Sequence, residues 1–355
     1  MNRLPFLDWT RGLAVLIMIQ CHAFNSFARP ESRSAGPYVL SQFVGGMAAV
    51  LFLFLAGVTF AFQMDRLDRK GLPPMARLRS MLRRAGYILG IAFLFRISNS
   101  LCTFPLPPLK VLFKVDILNC MGLAMAVLAF AALCPAPHRT MLAALAGLSV
   151  AAAAPLASAA DGSALPWLVR DYFVPDFKRF AFFPWASYLA FGVAGGAALR
   201  GIPPPRLDGA MQWCLITGCG LVLGGRYAAD LPYSLYSTSN FWLNSPLLIL
   251  IRLGIILLIL AAAYLWTCYG SGTGWSWVRS LGQTSLLVYW VHVLLVYGWL
   301  LARWKKALTL PQTALLTAGI VALMVALSAA RLRWKTRRAK PAPLPAPGEL
   351  LVRSA

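Results

Sequence analysis

The sequence predicts an all-α protein embedded in a membrane, and three observations lead there. Of the 355 residues, 59% are hydrophobic and only 12% are charged, roughly half the charged share of a soluble domain. Apolar stretches of about 20 residues, the length that crosses a bilayer as a helix, recur along nearly the whole chain. In lipid only helices and closed barrels satisfy the backbone, and these stretches are too long and continuous for barrel strands.

The expected spans, in order, are 5–27, 38–63, 84–100, 115–134, 141–160, 182–199, 211–225, 246–267, 281–302 and 312–331. Asp8 and Arg11 interrupt the first, and no small-x-small cleavage site follows, so it reads as a retained span rather than a signal peptide. The second and third are separated by Arg66, Arg69, Lys70, Arg77, Arg79, Arg83 and Arg84, which places that segment in the cytoplasm. The seventh is short and Gly-rich. The last is followed by Arg331, Arg333, Lys335, Arg337, Arg338 and Lys340, a second cytoplasmic signal. About ten spans put both termini inside, in agreement with both signals; Arg303, Lys305 and Lys306 then fall outside and disagree. One transmembrane domain over 1–335 is expected, with 336–355 a basic, Pro/Ala-rich, disordered tail. Placement is in an integral membrane, the inner one for a bacterial chain.

The net charge of +22 would suggest nucleic acid in a soluble protein. Here the basic residues sit at the ends of apolar spans and lack interleaved stacking aromatics, so they set topology and meet anionic headgroups. The seven cysteines form no CxxC pair and no metal-type spacing with histidine. No P-loop, HExxH or GxSxG in context appears. No metal is expected, no cofactor is expected to be bound, and acid–base chemistry is the type that remains.

Arg11 and His22 carry that chemistry. They lie eleven residues apart, three helical turns plus a small remainder, so they share one face of one helix about 16 Å apart. Charged and titratable groups in a span face a bundle interior or a water path rather than lipid. Asp8 shares roughly that face and can hold the Arg11 guanidinium. His22 is the candidate general base, since imidazole titrates near neutral pH. Its competing reading is a packing histidine.

Further candidates have a structural reading beside the functional one. Ser285, Tyr289 and His292 can share a face of the ninth span, where His292 either lines a cavity or bonds across helices. Asp116 and Asn119 open the fourth span, one turn apart; Asp116 either lines the cavity or only caps the helix. Arg252, inside the eighth span, either snorkels to the interface or binds an acceptor. Arg83 and Arg84 either hold donor phosphates or only set topology. His138 follows CPAP beside Arg139 and reads as a solvated surface residue.

FLDWTRGLAVLIMIQCHAF resembles the first span of membrane acyltransferases, whose acyltransferase-3 branch separates an arginine and a histidine by ten residues, as Arg11 and His22 are separated here. KVDILNCMGLAMA, FAFFPWASYLAFGVAGG and LGQTSLLVYWVHVLL are similar, in order and place, to the bacterial relatives of heparan-α-glucosaminide N-acetyltransferase. The resemblance runs through most of positions 4–302. It implies transfer of an acyl group, acetyl first of all, from cytoplasmic acyl-CoA to an amino sugar or glycan across the membrane. The lysosomal relative carries its catalytic histidine in the loop after the first span, with asparagine at the place of His22. The loop here, ARPESRSAGPY, has no histidine, so the acyltransferase-3 pattern carries the base to His22.

The expected function is therefore acyl-CoA-dependent acyl transfer, with His22 as base and Arg11, oriented by Asp8, positioning the donor or stabilising negative charge. The expected partners are the bilayer, acyl-CoA and the acceptor, with a second copy of the chain left open. The alternative is a multi-span transporter that uses the same polar residues as a path; a scaffold of polar glue is the third class.

Overall fold

The computed structural model describes residues 4–102, 108–160, 162–237, 239–270 and 274–338. Among them are twelve α-helices: α1 (Pro5–Phe27), α2 (Gly36–Arg69), α3 (Pro74–Leu101), α4 (Ile117–Leu128), α5 (Ala136–Ala159), α6 (Trp167–Phe173), α7 (Phe182–Arg200), α8 (Leu207–Ala229), α9 (Pro246–Leu265), α10 (Trp277–Gln283), α11 (Ser285–Tyr297) and α12 (Leu310–Arg338). The described residues contain no strand, only an isolated bridge between Ala28 and Leu308. The last helix runs through Arg338; the rest of the expected tail lies outside the described residues.

The polytopic all-α architecture is the expected one. Among the described residues, α2, α5, α7, α8, α9 and α12 are each long and apolar enough to cross a membrane. The seventh expected span is thus a helix of 23 residues, longer than its Gly-rich core suggests. The expected ninth span is two helices, α10 and α11, bent by 89° at Thr284. The other three spans coincide with α1, α3 and the 12-residue α4, which continues into a 3-10 turn over Ala129–Leu133.

α1 is the central helix. Phe6, Leu7 and Ala14 enter the larger apolar core, which α2, α3, α4, α5, α7, α8 and α9 complete. Val15, Ile19, Ala23 and Phe27 enter a second core with Leu281, Val288, Ile320 and Met324 of α10, α11 and α12. Arg11 and His22, about 20° apart around the helix after three turns, occupy a remaining strip. α3 and α4 pack on each other and α4 packs on α7, while the main partners of α1 are α2, α9, α10, α11 and α12. Along the strip, His22 meets His292 and Tyr297 of α11.

Between helices in lipid, close packing replaces the hydrophobic drive, so small residues decide which backbones touch. A Cβ on Gly12 would lie 2.0 Å from Val278 O, and one on Gly282 1.9 Å from Asp8 O, so α1 and α10 meet backbone to backbone. α2 and α7 do the same: a Cβ on Gly57 would lie 2.1 Å from Leu189 O, and one on Gly192 2.0 Å from Phe54 O. The α10 contact seats the break. Gly282 presses on α1, Gln283 Nε2 donates to Asp8 Oδ2 at 3.5 Å, and the Thr284 and Ser328 hydroxyls lie 2.7 Å apart.

At one end of the bundle, Asp65 and Asp68 tie α2 to its neighbours. Asp68 pairs with Arg77 of α3 and Arg139 of α5, and Asp65 with Arg69 and with Arg200 of α7. His138 is exposed in the first turn of α5, whereas Arg139 beside it is buried. The three cations that oppose the charge rule sit at the other end. There Lys305 Nζ donates to Tyr297 O at 2.6 Å, closing the C-terminus of α11. Burial lowers the Lys305 pKa. Arg303 lies over the Trp304 ring. Local capping of this kind gives part of that basic loop a structural role.

Gly192→Ala should destabilise the fold by about 1–3 kcal/mol, because the new methyl must displace the Phe54 backbone. Gly220→Ala, with open space around its Cβ, should be neutral. Thermal unfolding of both variants in one detergent measures the difference; equal midpoints would contradict the backbone contact.

Candidate active site

The centre of the site joins α1 to α11. His22 Nδ1 lies 3.0 Å from His292 Nε2, with the two rings nearly parallel at 12°. His292 is fully buried, and its Nδ1 lies 2.8 Å from Val288 O, one turn back in the same helix. A carbonyl only accepts, so His292 Nδ1 carries the hydrogen. Neutral His292 then presents Nε2 as an acceptor. The donor across the 3.0 Å gap must be the Nδ1–H of His22. With both rings neutral, one arrangement of protons satisfies both contacts, and it leaves the lone pair of His22 on Nε2. A base with one nitrogen held by an orienting partner and the other left as acceptor is suited to proton abstraction.

Around the pair are aromatic and charged groups. The Tyr297 ring lies 5.4 Å from His22 and the Tyr289 ring 6.0 Å from His292. Tyr289 also interacts with Asp116, which acts electrostatically on His22. Asp116 does cap α4: its Oδ1 accepts from Ile117 N at 2.6 Å, and Asn119 Oδ1 accepts from Asp116 N at 3.2 Å. The cap leaves Oδ2 for Arg96, whose Nη2 donates at 3.0 Å. The structural and functional readings of Asp116 therefore coexist in one carboxylate. Asn119 Nδ2 donates to the Tyr172 hydroxyl of α6 at 3.2 Å. Burial pushes the Tyr172 phenol up, against a smaller opposing effect of that bond, so it stays protonated at neutral pH.

Arg11 stands apart from this centre. Its Nη1 lies 3.4 Å from Asp8 Oδ1, as the sequence suggests, and Asp8 is buried. The pair sits beside the α10–α11 break, about 16 Å along α1 from His22 by helical rise. The expected site residues thus fall into two groups along one strip. One holds His22, His292, Asp116, Asn119 and Tyr289, and the other holds Asp8 and Arg11 with Gln283. Ser285 starts α11, seven residues or about 10 Å from His292. Arg252 lies against the Tyr188 hydroxyl between α9 and α7. Arg83 and Arg84 are exposed on α3, with Arg84 over the Tyr87 ring.

Sequence reading misses Arg96, Tyr172, Tyr297 and Gln283. Arg96 had a signal, a lone arginine inside the apolar run LGIAFLFRIS. The other three are brought to the site by helices remote in sequence and carry none.

The Arg96–Asp116 pair is mostly buried, with side-chain exposures of 12% and 20%. A double-mutant cycle with Arg96→Gln and Asp116→Asn should give a stability coupling of about 1–3 kcal/mol. A coupling near zero would show that the two residues act independently.

The protein-family model described as "Heparan-alpha-glucosaminide N-acetyltransferase, catalytic" matches residues 3–218. No curated protein matches the chain. The matched stretch contains Asp8, Arg11, His22, Arg96, Asp116, Asn119 and Tyr172, while His292 lies beyond it. Since the match covers more than half of the chain, this protein belongs to the heparan-α-glucosaminide N-acetyltransferase catalytic family.

Proposed function

We propose that the protein transfers an acyl group, acetyl first of all, from cytoplasmic acyl-CoA to an acceptor amine or hydroxyl at the opposite face, with His22 as general base. An amino sugar or glycan is the acceptor class that the family suggests. The observation that carries this reading is the His22–His292 hydrogen bond, whose proton arrangement leaves His22 Nε2 as the acceptor.

In the proposed step, the acceptor heteroatom attacks the thioester carbonyl carbon and a C–N or C–O bond forms. His22 Nε2 takes the acceptor proton. The C–S bond breaks, and the proton on His22 passes to the departing thiolate, giving free CoA. While His22 is an imidazolium, its Nδ1–H remains bonded to His292, which fixes the ring through both proton transfers. His292 is a positioning residue in this scheme.

Arg11 suits the donor end. Its guanidinium is a planar fork that binds phosphate oxygens in pairs. Its separation from His22, about 16 Å by helical rise, is comparable to a pantetheine arm. That arm is equivalent to four or five extended residues, or roughly 15 Å. A donor held by its phosphates near Arg11 would place its thioester at His22. The charged end of the bundle, with Asp65, Asp68 and their arginines, is the cytoplasmic end in this reading. A second reading, a transporter, draws support from the broken α10–α11 span.

Turnover decides between them. The protein in nanodiscs, given labelled acetyl-CoA and amino-sugar acceptors, should release CoA. His22→Ala should lower kcat by about 10²–10⁴-fold. His292→Gln should lower it by about 10–100-fold, as the loss of an orienting partner does. Arg11→Gln should raise KM for the donor about tenfold with kcat little changed. Full turnover in a folded His22→Ala variant would exclude His22 as base. Solute flux in proteoliposomes without CoA release would favour the transporter.

A further inference from the structure

The end of the bundle just beyond His22 carries cations that no carboxylate matches. The turn after α1 and the turn between α11 and α12 hold Arg29, Arg33, Arg303, Lys305 and Lys306 against a single acid, Glu31. Among the described residues none of these six forms an ion pair. The other described carboxylates of that end, Asp116, Asp171, Asp176 and Asp230, are taken by Arg96, Arg179 and Arg226. Topology does not account for the basic turns, since in the proposed orientation they lie outside.

Backbone hydrogen bonds lock the two turns into one rim. Lys306 N donates to Ser26 O, Leu308 N to Phe27 O and Arg29 N to Leu308 O, each at 3.0 Å. Arg29 Nε donates to Ala307 O at 2.7 Å. Lys306 holds φ at 56°, a left-handed conformation that is costly for any residue but glycine. The rim adjoins the reaction centre. Asn25, three residues or about 4.5 Å along α1 from His22, accepts from Arg33 Nη2 at 3.0 Å through its carbonyl. Tyr297, whose ring lies 5.4 Å from His22, interacts with the Asn25 side chain and accepts from Lys305 Nζ through its carbonyl. Arg29, Arg303 and Lys306 are exposed around this pair of contacts.

A cluster of cations without counter-charge attracts anions. A phosphate ester brings nearly two negative charges and three acceptor oxygens, where a carboxylate brings one charge. Guanidinium forks take phosphate oxygens in pairs. We propose that this rim binds a phosphate group of the acceptor, so that the acceptor is a phosphorylated sugar whose amine or hydroxyl lies close to the phosphate. Such an acceptor rests on the acyl transfer proposed above and narrows its class. Two sources share the chemistry: a soluble sugar phosphate, and a saccharide joined to a membrane lipid through phosphate.

The test compares acceptors on the full chain in phosphatidylcholine nanodiscs with labelled acetyl-CoA. Glucosamine 1-phosphate should exceed glucosamine in kcat/KM about tenfold or more, through KM, and high salt should shrink that preference. The dodecyl ester of glucosamine 1-phosphate separates the sources: a further gain assigns the lipid-linked acceptor, and no gain assigns the soluble one. Arg33→Gln should cut the preference about tenfold. So should the double variant Arg303→Gln/Lys306→Gln, which decides if Arg33→Gln does not fold. A merely structural role would lower both acceptors alike and leave their ratio unchanged. Equal kcat/KM for the neutral and phosphorylated sugars, or an unchanged ratio in the variants, would overturn the site. CoA release with none of the acceptors would instead overturn the acyl transfer itself, and this acceptor class with it.

Discussion

The hydrogen bond between His22 and His292 joins helices 270 residues apart in sequence. For two neutral rings it also fixes the distribution of protons. Val288 O fixes one end, since it can only accept, and the choice propagates through both rings to His22 Nε2. The remaining geometry keeps that bond in place. Gly12 and Gly282 let α10 lie on α1, the bend at Thr284 redirects the chain, and α11 then brings His292 to the level of His22. A side chain at either glycine would separate the two backbones, and the registry of the histidines would shift with them.

The site also depends on α3 and α4, which form a pair that packs on α2 and α7. Asp116, at the start of α4, interacts with Tyr289 and acts electrostatically on His22. Arg96 meets it from α3 and balances its charge. The carboxylate thus serves helix capping and site electrostatics at once, which is economical where each buried polar group needs a partner.

Much of this was legible in the sequence. Apolar run lengths identify the membrane helices, and the spacing of Asp8, Arg11 and His22 puts them on related faces of α1. His292 was visible as a histidine within an apolar run. The contact between His22 and His292 was not legible, because it depends on a break at Thr284 that no proline marks. Continuous hydropathy across 281–302 hides that break, since both halves are apolar and the bend arises from tertiary contacts of Gly282, Gln283 and Thr284. Arg96 is masked by the many basic residues that set topology. Tyr172 and Tyr297 reach the site only through folding, and nothing local distinguishes them from packing aromatics.

The proton arrangement of the histidine pair can be measured directly. Nitrogen-15 solid-state NMR of histidine-labelled protein in lipid, with His138→Gln removing the surface signal, reports which ring nitrogens carry hydrogen. Both His22 and His292 should be protonated at Nδ1 and bare at Nε2, with a coupling across the His22 Nδ1–His292 Nε2 hydrogen bond. A His22 ring protonated at Nε2, with no coupling to His292, would contradict the proposal that this nitrogen is the base.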